Sequence, residues 1–189
     1  EKEKRFESLD MPAIIQDSIL LTRPYWYNEP RRQGIRIDVE LELSDVPQIL
    51  GMASDLREVF VNLILNAIQA MPEGGHLLLR TDYTDDAVRV VVRDTGLGMS
   101  EAVRDRIFEP LFTTKGEHGT GMGLAVSYGI LQEHDARIQV RSRLGEGTEF
   151  ILSFPPFEEE PEEALESLEH TPQDAHSVHV LLVDDEPMV

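Results

Sequence analysis

The chain has 189 residues, no cysteine, and 36 acidic side chains against 17 lysines and arginines, a formal charge of −19 at pH 7. That length suits one domain of about 150 residues plus an appendage, and 41% apolar residues excludes wholesale disorder. The charge argues against nucleic-acid binding, the missing cysteines exclude disulfides and thiolate chemistry, and no apolar run reaches the roughly 20 residues of a membrane span, so a soluble, cytoplasmic chain without membrane contact is expected.

Ile14, Ile15, Ile19 and Leu20 recur at helical spacing behind Pro12 and predict a first helix over 12–22, limited by Pro24 or Pro30. Ile35, Ile37, Val39, Leu41 and Leu43 alternate with polar residues, the pattern of a half-buried strand. Residues 47–52 read as a short strand or a turn. Ser54 or Asp55 is placed to cap a long helix over 56–71, which Pro72 and Gly74-Gly75 stop. Strands over 77–83 and 88–93 follow, joined by an Asp85-Asp86 turn. After a stretch punctuated by glycine and proline comes a helix over 122–133. A hairpin closes the series, residues 137–142 and 149–154 around a Gly145–Gly147 turn. Paired strands with helices on one side predict an α+β two-layer sandwich with a mixed, mainly antiparallel sheet.

Past Phe154 the composition changes. All 17 basic residues precede it, so residues 1–154, with 25 acids, carry a net of −8. Residues 155–178 add Glu158, Glu159, Glu160, Glu162, Glu163, Glu166, Glu169 and Asp174, no base and several prolines. This segment reads as a solvated linker, with an acidic helix over 162–169 as the alternative.

Three constellations carry chemistry. On the helix over 56–71, Leu56, Val59, Phe60, Leu63, Ile64 and Ala67 form an apolar arc, while Glu58, Asn62, Asn66 and Gln69 fall in one polar stripe. Asn is a mediocre helix former, and two amides one turn apart in a buried helix need partners. A hard cation such as Mg²⁺ takes an amide oxygen readily; a solvent-facing polar seam is the alternative. Next, a strand ends in Asp94-Thr95-Gly96-Leu97-Gly98: one carboxylate, able to accept from an exocyclic amine, then two glycines that permit close approach. The alternative is an ordinary turn before a Ser100-capped helix. Last, Gly119-Thr120-Gly121-Met122-Gly123-Leu124 opens a helix and can aim backbone N–H groups at a phosphate chain. Its spacing is neither the dinucleotide fingerprint nor a P-loop, and a glycine-rich hinge is the alternative. Phe108 through Lys115, just upstream, has the features of a loop lid.

In order and spacing the series resembles the ATP-binding catalytic domain of sensor histidine kinases, within the broader GHKL group of ATPases and kinases. Asn62 through Ala67 is similar to the N box, Asp94 through Gly98 to the first G box, and Phe108 through Lys115 to the F box. Gly119 through Leu124 is similar to the second G box, and Gly145-Glu146-Gly147-Thr148 to the closing G-x-G-T turn. The resemblance implies the Bergerat-type sandwich with ATP between the helical layer and a mobile lid. It implies that Asn66 coordinates Mg²⁺ and that Asn62 sits beside the phosphates, with Glu58 assisting. Asp94 would accept the adenine amino hydrogen, supported by Thr148, and Gly96 and Gly98 would shape the floor. Gly119, Thr120, Gly121, Met122, Gly123 and Leu124 would hold the phosphates, with Lys115 a further phosphate candidate.

Within the group, hydrolysing relatives and serine kinases place Glu where this chain has Asn62, which is no general base at neutral pH. A neutral imidazole is already a nucleophile, so transfer to histidine is favoured over a GHKL-type ATPase or a serine kinase, while the intact Asn66, Asp94 and glycines argue against a nucleotide-binding interaction module without kinase activity. None of the six histidines lies in an H-box context; His134-Asp135 lacks the following proline. The acceptor histidine is therefore expected on a separate dimerisation domain of the same kinase. Residues 1–10 are expected to be a remnant of its last helix, 11–154 the catalytic domain, and 155–178 the linker. Residues 179–189, His179 through Asp184-Asp185-Glu186-Pro187, resemble the first strand of a response-regulator receiver domain. This implies a hybrid kinase with a receiver partner, a homodimeric parent and a monomeric fragment.

Overall fold

The computed structural model describes residues 5–114 and 121–157. Its elements are β1 (Glu7–Leu9), α1 (Met11–Arg23), α2 (Glu29–Arg32), β2 (Ile37–Leu43), β3 (Ile49–Gly51), α3 (Ala53–Gln69), β4 (Gly75–Thr84), β5 (Ala87–Asp94), α4 (Glu101–Arg104), α5 (Gly123–Glu133), β6 (Arg137–Arg143) and β7 (Gly147–Phe154). They belong to a compact unit, Glu1–Glu158; the second unit, Glu159–Val189, lies outside the described residues, and with it the expected receiver strand and nearly all of the linker.

Side-chain alternation along the strands builds the sheet. Five strands lie in the order β2-β4-β5-β7-β6. Leu77, Leu79 and Thr81 of β4 stand opposite Asp94, Val92 and Val90 of β5. Those in turn face Thr148, Phe150 and Leu152 of β7. All nine are buried, because this face receives the helices: Ile15 of α1, Phe60 and Leu63 of α3 and Leu131 of α5 share its core cluster. The other face carries charge, with Asp82 taking Arg80 at 3.6 Å and Arg89 at 3.7 Å. The result is the expected α+β two-layer sandwich. Every sheet pairing is antiparallel except β2–β4, whose parallel register follows from a crossover through α3.

Two local expectations are corrected. Residues 7–9 are extended rather than the tail of a helix: Glu7, Ser8 and Leu9 pair antiparallel with β3, and Leu9 is buried there. As expected, the α-helix α1 ends at Arg23, with Pro24 as its C-cap. Pro24 also opens a π-helical turn, Pro24–Asn28, for which its φ of −55° is suitable, and the Trp26 indole donates back to the Ile19 carbonyl at 3.3 Å. Finally, Met52, not Ser54 or Asp55, is the N-cap of α3.

His134 explains the last correction. Its Nδ1 lies 2.7 Å from the Ile130 carbonyl, which can only accept, so Nδ1 carries the hydrogen. Nε2 is then the acceptor for the Met52 N–H at 3.0 Å, and the buried ring ties the end of α5 to the start of α3. Phe6 packs on the same ring at 4.9 Å. Among the described residues no helix is long and apolar enough to cross a membrane.

Candidate functional site

A cavity of about 500 Å³ lies between α3, the ends of β5 and β7, the segment after β5 and the start of α5. Strand parity delivers its floor. Asp94, Thr148 and Ser142 stand in one row across β5, β7 and β6. Asp94 is only 4% exposed, and its Oδ1 accepts the Gly96 N–H at 2.8 Å. Burial pushes its carboxyl above the ordinary 3.8, with the N–H groups of Gly96 and Thr148 drawing it back down.

The turn after Asp94 is fixed from three directions. The Leu97 N–H donates to the Ala70 carbonyl at 2.8 Å, and Leu97 accepts from the Gly145 N–H at 2.7 Å. The Met99 N–H donates to Ser142 Oγ at 2.8 Å. Gly98 (φ +62°) lies so close that a Cβ there would stand 1.9 Å from the Arg143 carbonyl oxygen; at Gly147 (φ +89°) one would stand 2.0 Å from that of Asp94. Only glycine permits this approach. Met99, Ile107 and Phe150 add apolar wall beside the carboxylate, the mixture of apolar surface and few polar groups typical of small-molecule sites.

At the other end α3 presents Asn62 and Asn66, and Gly121, just before α5, and Gly123, its first residue, are in the lining. Asn62 Nδ2 donates to the Gly123 carbonyl at 3.4 Å and to Ser127 Oγ at 3.3 Å, joining the two helices. The first N–H groups of α5 make a helix N-terminus, which favours anions. The Leu111 N–H donates to the Gly121 carbonyl at 3.0 Å, and between them Phe112, Thr113 and Thr114 enter the lining.

The structure thus brings Asn62, Asn66, Asp94, Gly98, Gly121, Gly123, Leu124 and Thr148 to one cavity. Gly96 stands behind Asp94 as its donor. Met122 is the N-cap of α5 and is 42% exposed, outside the lining; Glu58 is exposed and also outside it. Lys115, Gly119 and Thr120 lie outside the described residues. The motifs did not reveal Ser142 and Ser127. Their available signal was a polar residue in an apolar pattern: Ser142 follows Ile138 and Val140 on the inner face of β6, and Ser127 sits fully buried in α5. Among the described residues no group of three His, Cys, Asp or Glu side chains is placed to hold a metal. A cation here would rest on amide oxygen and on oxygens brought by ligand and water, a donor set that fits Mg²⁺.

The profile of the family described as histidine kinase-, DNA gyrase B-, and HSP90-like ATPase matches residues 51–158. Sporulation kinase E of Bacillus subtilis (strain 168) is 36% identical over 151 residues, 79% of this chain and 20% of its own length. Sensor kinase CckA of Brucella abortus (strain 2308) is 38% identical, covering 80% of this chain and 19% of its own. This chain therefore spans about a fifth of these relatives. Among solved structures, the catalytic domain of histidine kinase ThkA superposes with a TM-score of 0.69 at 28% identity, over 80% of this chain and 96% of that one. Full-length ShkA in complex with AMPPNP gives a TM-score of 0.70 at 29% identity, over 82% of this chain and 32% of that one. With its sandwich fold, buried floor carboxylate and paired helix amides, the chain belongs to the family of histidine kinase-, DNA gyrase B- and HSP90-like ATPases.

Proposed function

We propose that this chain is the ATP-binding catalytic part of a sensor histidine kinase, which moves the γ-phosphate of ATP to a histidine on a separate dimerisation domain. One observation carries this reading: the cavity has a buried carboxylate at one end, and two helix amides with a helix N-terminus at the other. That polarity suits a ligand with an amine on a flat ring and anionic charge at its far end. The AMPPNP bound to ShkA is such a ligand.

Asp94 accepts from the exocyclic amine of the base, and Met99, Ile107 and Phe150 exclude water from the ring. Asn66 is the amide for Mg²⁺ and Asn62 lies beside the phosphates. Gly121 and Gly123 offer backbone N–H groups at the start of α5, and Lys115, Gly119 and Thr120 are assigned to the same phosphates. When bound, Mg²⁺ supplies neutralisation of the phosphate oxygens. In a domain of net negative charge, amides and a helix dipole serve where a basic surface does not.

Asn62 has no basic atom at neutral pH, so the site is suited to an acceptor that is already a nucleophile. His134 is not that acceptor, since both of its ring nitrogens are engaged in the buried junction. The acceptor histidine belongs to a dimerisation domain of the same kinase, and Asp184 and Asp185 to the start of a receiver domain in a hybrid, homodimeric parent. The test is incubation with labelled MgATP. The chain alone, expected to be a monomer, stays unlabelled, and adding the separate dimerisation domain yields phosphohistidine on that domain. Label on this chain itself sinks the reading, as does failure of a fluorescent ATP analogue to bind.

A further inference from the structure

Ser142 has one hydroxyl hydrogen and three partners. The Met99 N–H can only donate, and it reaches Ser142 Oγ at 2.8 Å. The Gly147 carbonyl can only accept, and it lies 3.0 Å from the same oxygen, so the Ser142 hydrogen goes there. The third partner is Thr148 Oγ1 at 2.9 Å. With the Ser142 hydrogen already committed, the hydrogen of that bond comes from Thr148.

This settles what Thr148 shows to the cavity. Its hydrogen points at Ser142, and lone pairs alone remain on Oγ1. Thr148 stands directly opposite Asp94 across the β5–β7 register, and both line the cavity. The floor therefore offers acceptors from two neighbouring residues and no hydroxyl hydrogen. A 6-amino purine brings two N–H groups to such an edge; a 6-oxo purine brings a carbonyl oxygen against lone pairs. Sites built to hydrogen-bond one polar edge reject its mismatch strongly.

On the nucleotide-site reading above, we propose that Ser142 is a specificity-determining residue, which acts by holding the Thr148 hydroxyl as an acceptor and so selects a 6-amino over a 6-oxo purine. Ser142 touches no ligand in this scheme; it works through Thr148.

The test compares ADP with IDP, which differ at this edge of the base, on the full 189-residue chain. The unmodified chain should prefer ADP. In Ser142→Ala the Thr148 hydroxyl is free to rotate and donate, and the ADP-to-IDP affinity ratio should fall roughly tenfold. Ser142→Thr, which keeps the hydroxyl on a strand position, should restore the ratio. Thr148→Val leaves the Met99 and Gly147 bonds intact and should narrow the ratio likewise, with no further change in the double variant. An unchanged ratio in Ser142→Ala overturns the proposal, and so does equal weakening of both nucleotides, the signature of a merely structural serine. A Thr148→Val effect without a Ser142→Ala effect also overturns it. If the unmodified chain binds ADP and IDP equally, the selectivity fails alone; if it binds neither, the nucleotide-site reading fails first.

Discussion

The two ends of the cavity are built by different means. Strand register makes the floor, where Asp94, Thr148 and Ser142 share a row and bonds of 2.8 to 3.0 Å pin the neighbouring turn. The far end is two helices that the Asn62 amide links beside the cavity, at 3.3 and 3.4 Å. Hypothetical Cβ atoms measure the difference. At Gly147 the nearest atom is a backbone carbonyl at 2.0 Å; at Gly123 it is the Asn62 side chain at 3.7 Å. Gly121, just before α5, is also held against backbone, with a Cβ there 2.5 Å from the Leu111 carbonyl carbon, so the contrast lies between Gly147, fixed by backbone geometry, and Gly123, which meets a side-chain rotamer.

The largest expected effect is therefore Gly147→Ala. Its φ of +89° alone strains a side chain, and the clash with the Asp94 carbonyl cannot relax without parting β5 from β7. A loss of about 3 to 5 kcal/mol follows from strain and overpacking together, read as a shift in denaturant midpoint. A loss below about 1 kcal/mol, typical of a tolerant surface site, would break the distinction between the two ends.

Asp94→Asn comes next and separates binding from stability. Loss of a buried charged acceptor should weaken nucleotide binding by about 2 to 3 kcal/mol, roughly 30- to 150-fold. Stability moves otherwise. Burial raises this carboxyl above 3.8, so the folded chain holds the proton more tightly than the unfolded one. Folding is then favoured as pH falls through the window from the raised folded value down to 3.8, and the ionised group is a cost at neutral pH. The Asn variant should be no less stable at neutral pH than the unmodified chain and should lack that acid-side gain. In the unmodified chain nucleotide affinity should decline on acidification with a midpoint above 3.8, a titration absent from the variant. Calorimetric titrations and thermal melts across this range check both signs.

Asn62→Ala sharpens the view of the far end. Removing the amide loosens α5 from α3 at a cost of about 1 kcal/mol, the worth of an ordinary hydrogen bond. Nucleotide affinity with Mg²⁺ should fall about tenfold, which corresponds to 1.4 kcal/mol, with a smaller change without Mg²⁺. Equal losses in both conditions would place Asn62 away from the phosphates.

The same contrast explains what was legible in the chain. Periodicity disclosed the long helix and the central strands because burial of one face repeats within a few residues: Val88, Val90 and Val92 announce β5 by themselves. The Asp94 turn was legible because its glycines show in the sequence as glycines, although the backbone they approach, Ala70 and Arg143, is distant along the chain. Pairing partners far apart in sequence leave no local mark. Nothing near Ile37 indicates that β2 runs parallel to β4, and nothing near Ser54 indicates that a histidine from α5 takes the Met52 N–H and moves the helix start. Ser142 faces the cavity side of the sheet and Ser153 the opposite side, yet both are serines in alternating strands. Alternation with Ile138 and Val140 marks the face of Ser142, but only the register sets it beside Thr148 and in the row of Asp94.

Gly123→Ala carries the smallest expected effect. The position opens α5, where Ala is favoured over Gly by up to about 1 kcal/mol in a helix interior and by less in the first turn. The added methyl meets Asn62 Cγ and Oδ1 at 3.7 Å, an ordinary contact. The unliganded chain should therefore melt slightly higher, by an equivalent of about 0.5 kcal/mol. The methyl also crowds the amide that joins the two helices, so nucleotide affinity should drop two- to threefold, about 0.4 to 0.6 kcal/mol. A small gain in stability with a small loss in binding is the mark of a site end adjusted by a side chain. If Gly123→Ala instead unfolds the chain as Gly147→Ala is expected to, backbone geometry governs both ends, and strand register is not what makes the floor different.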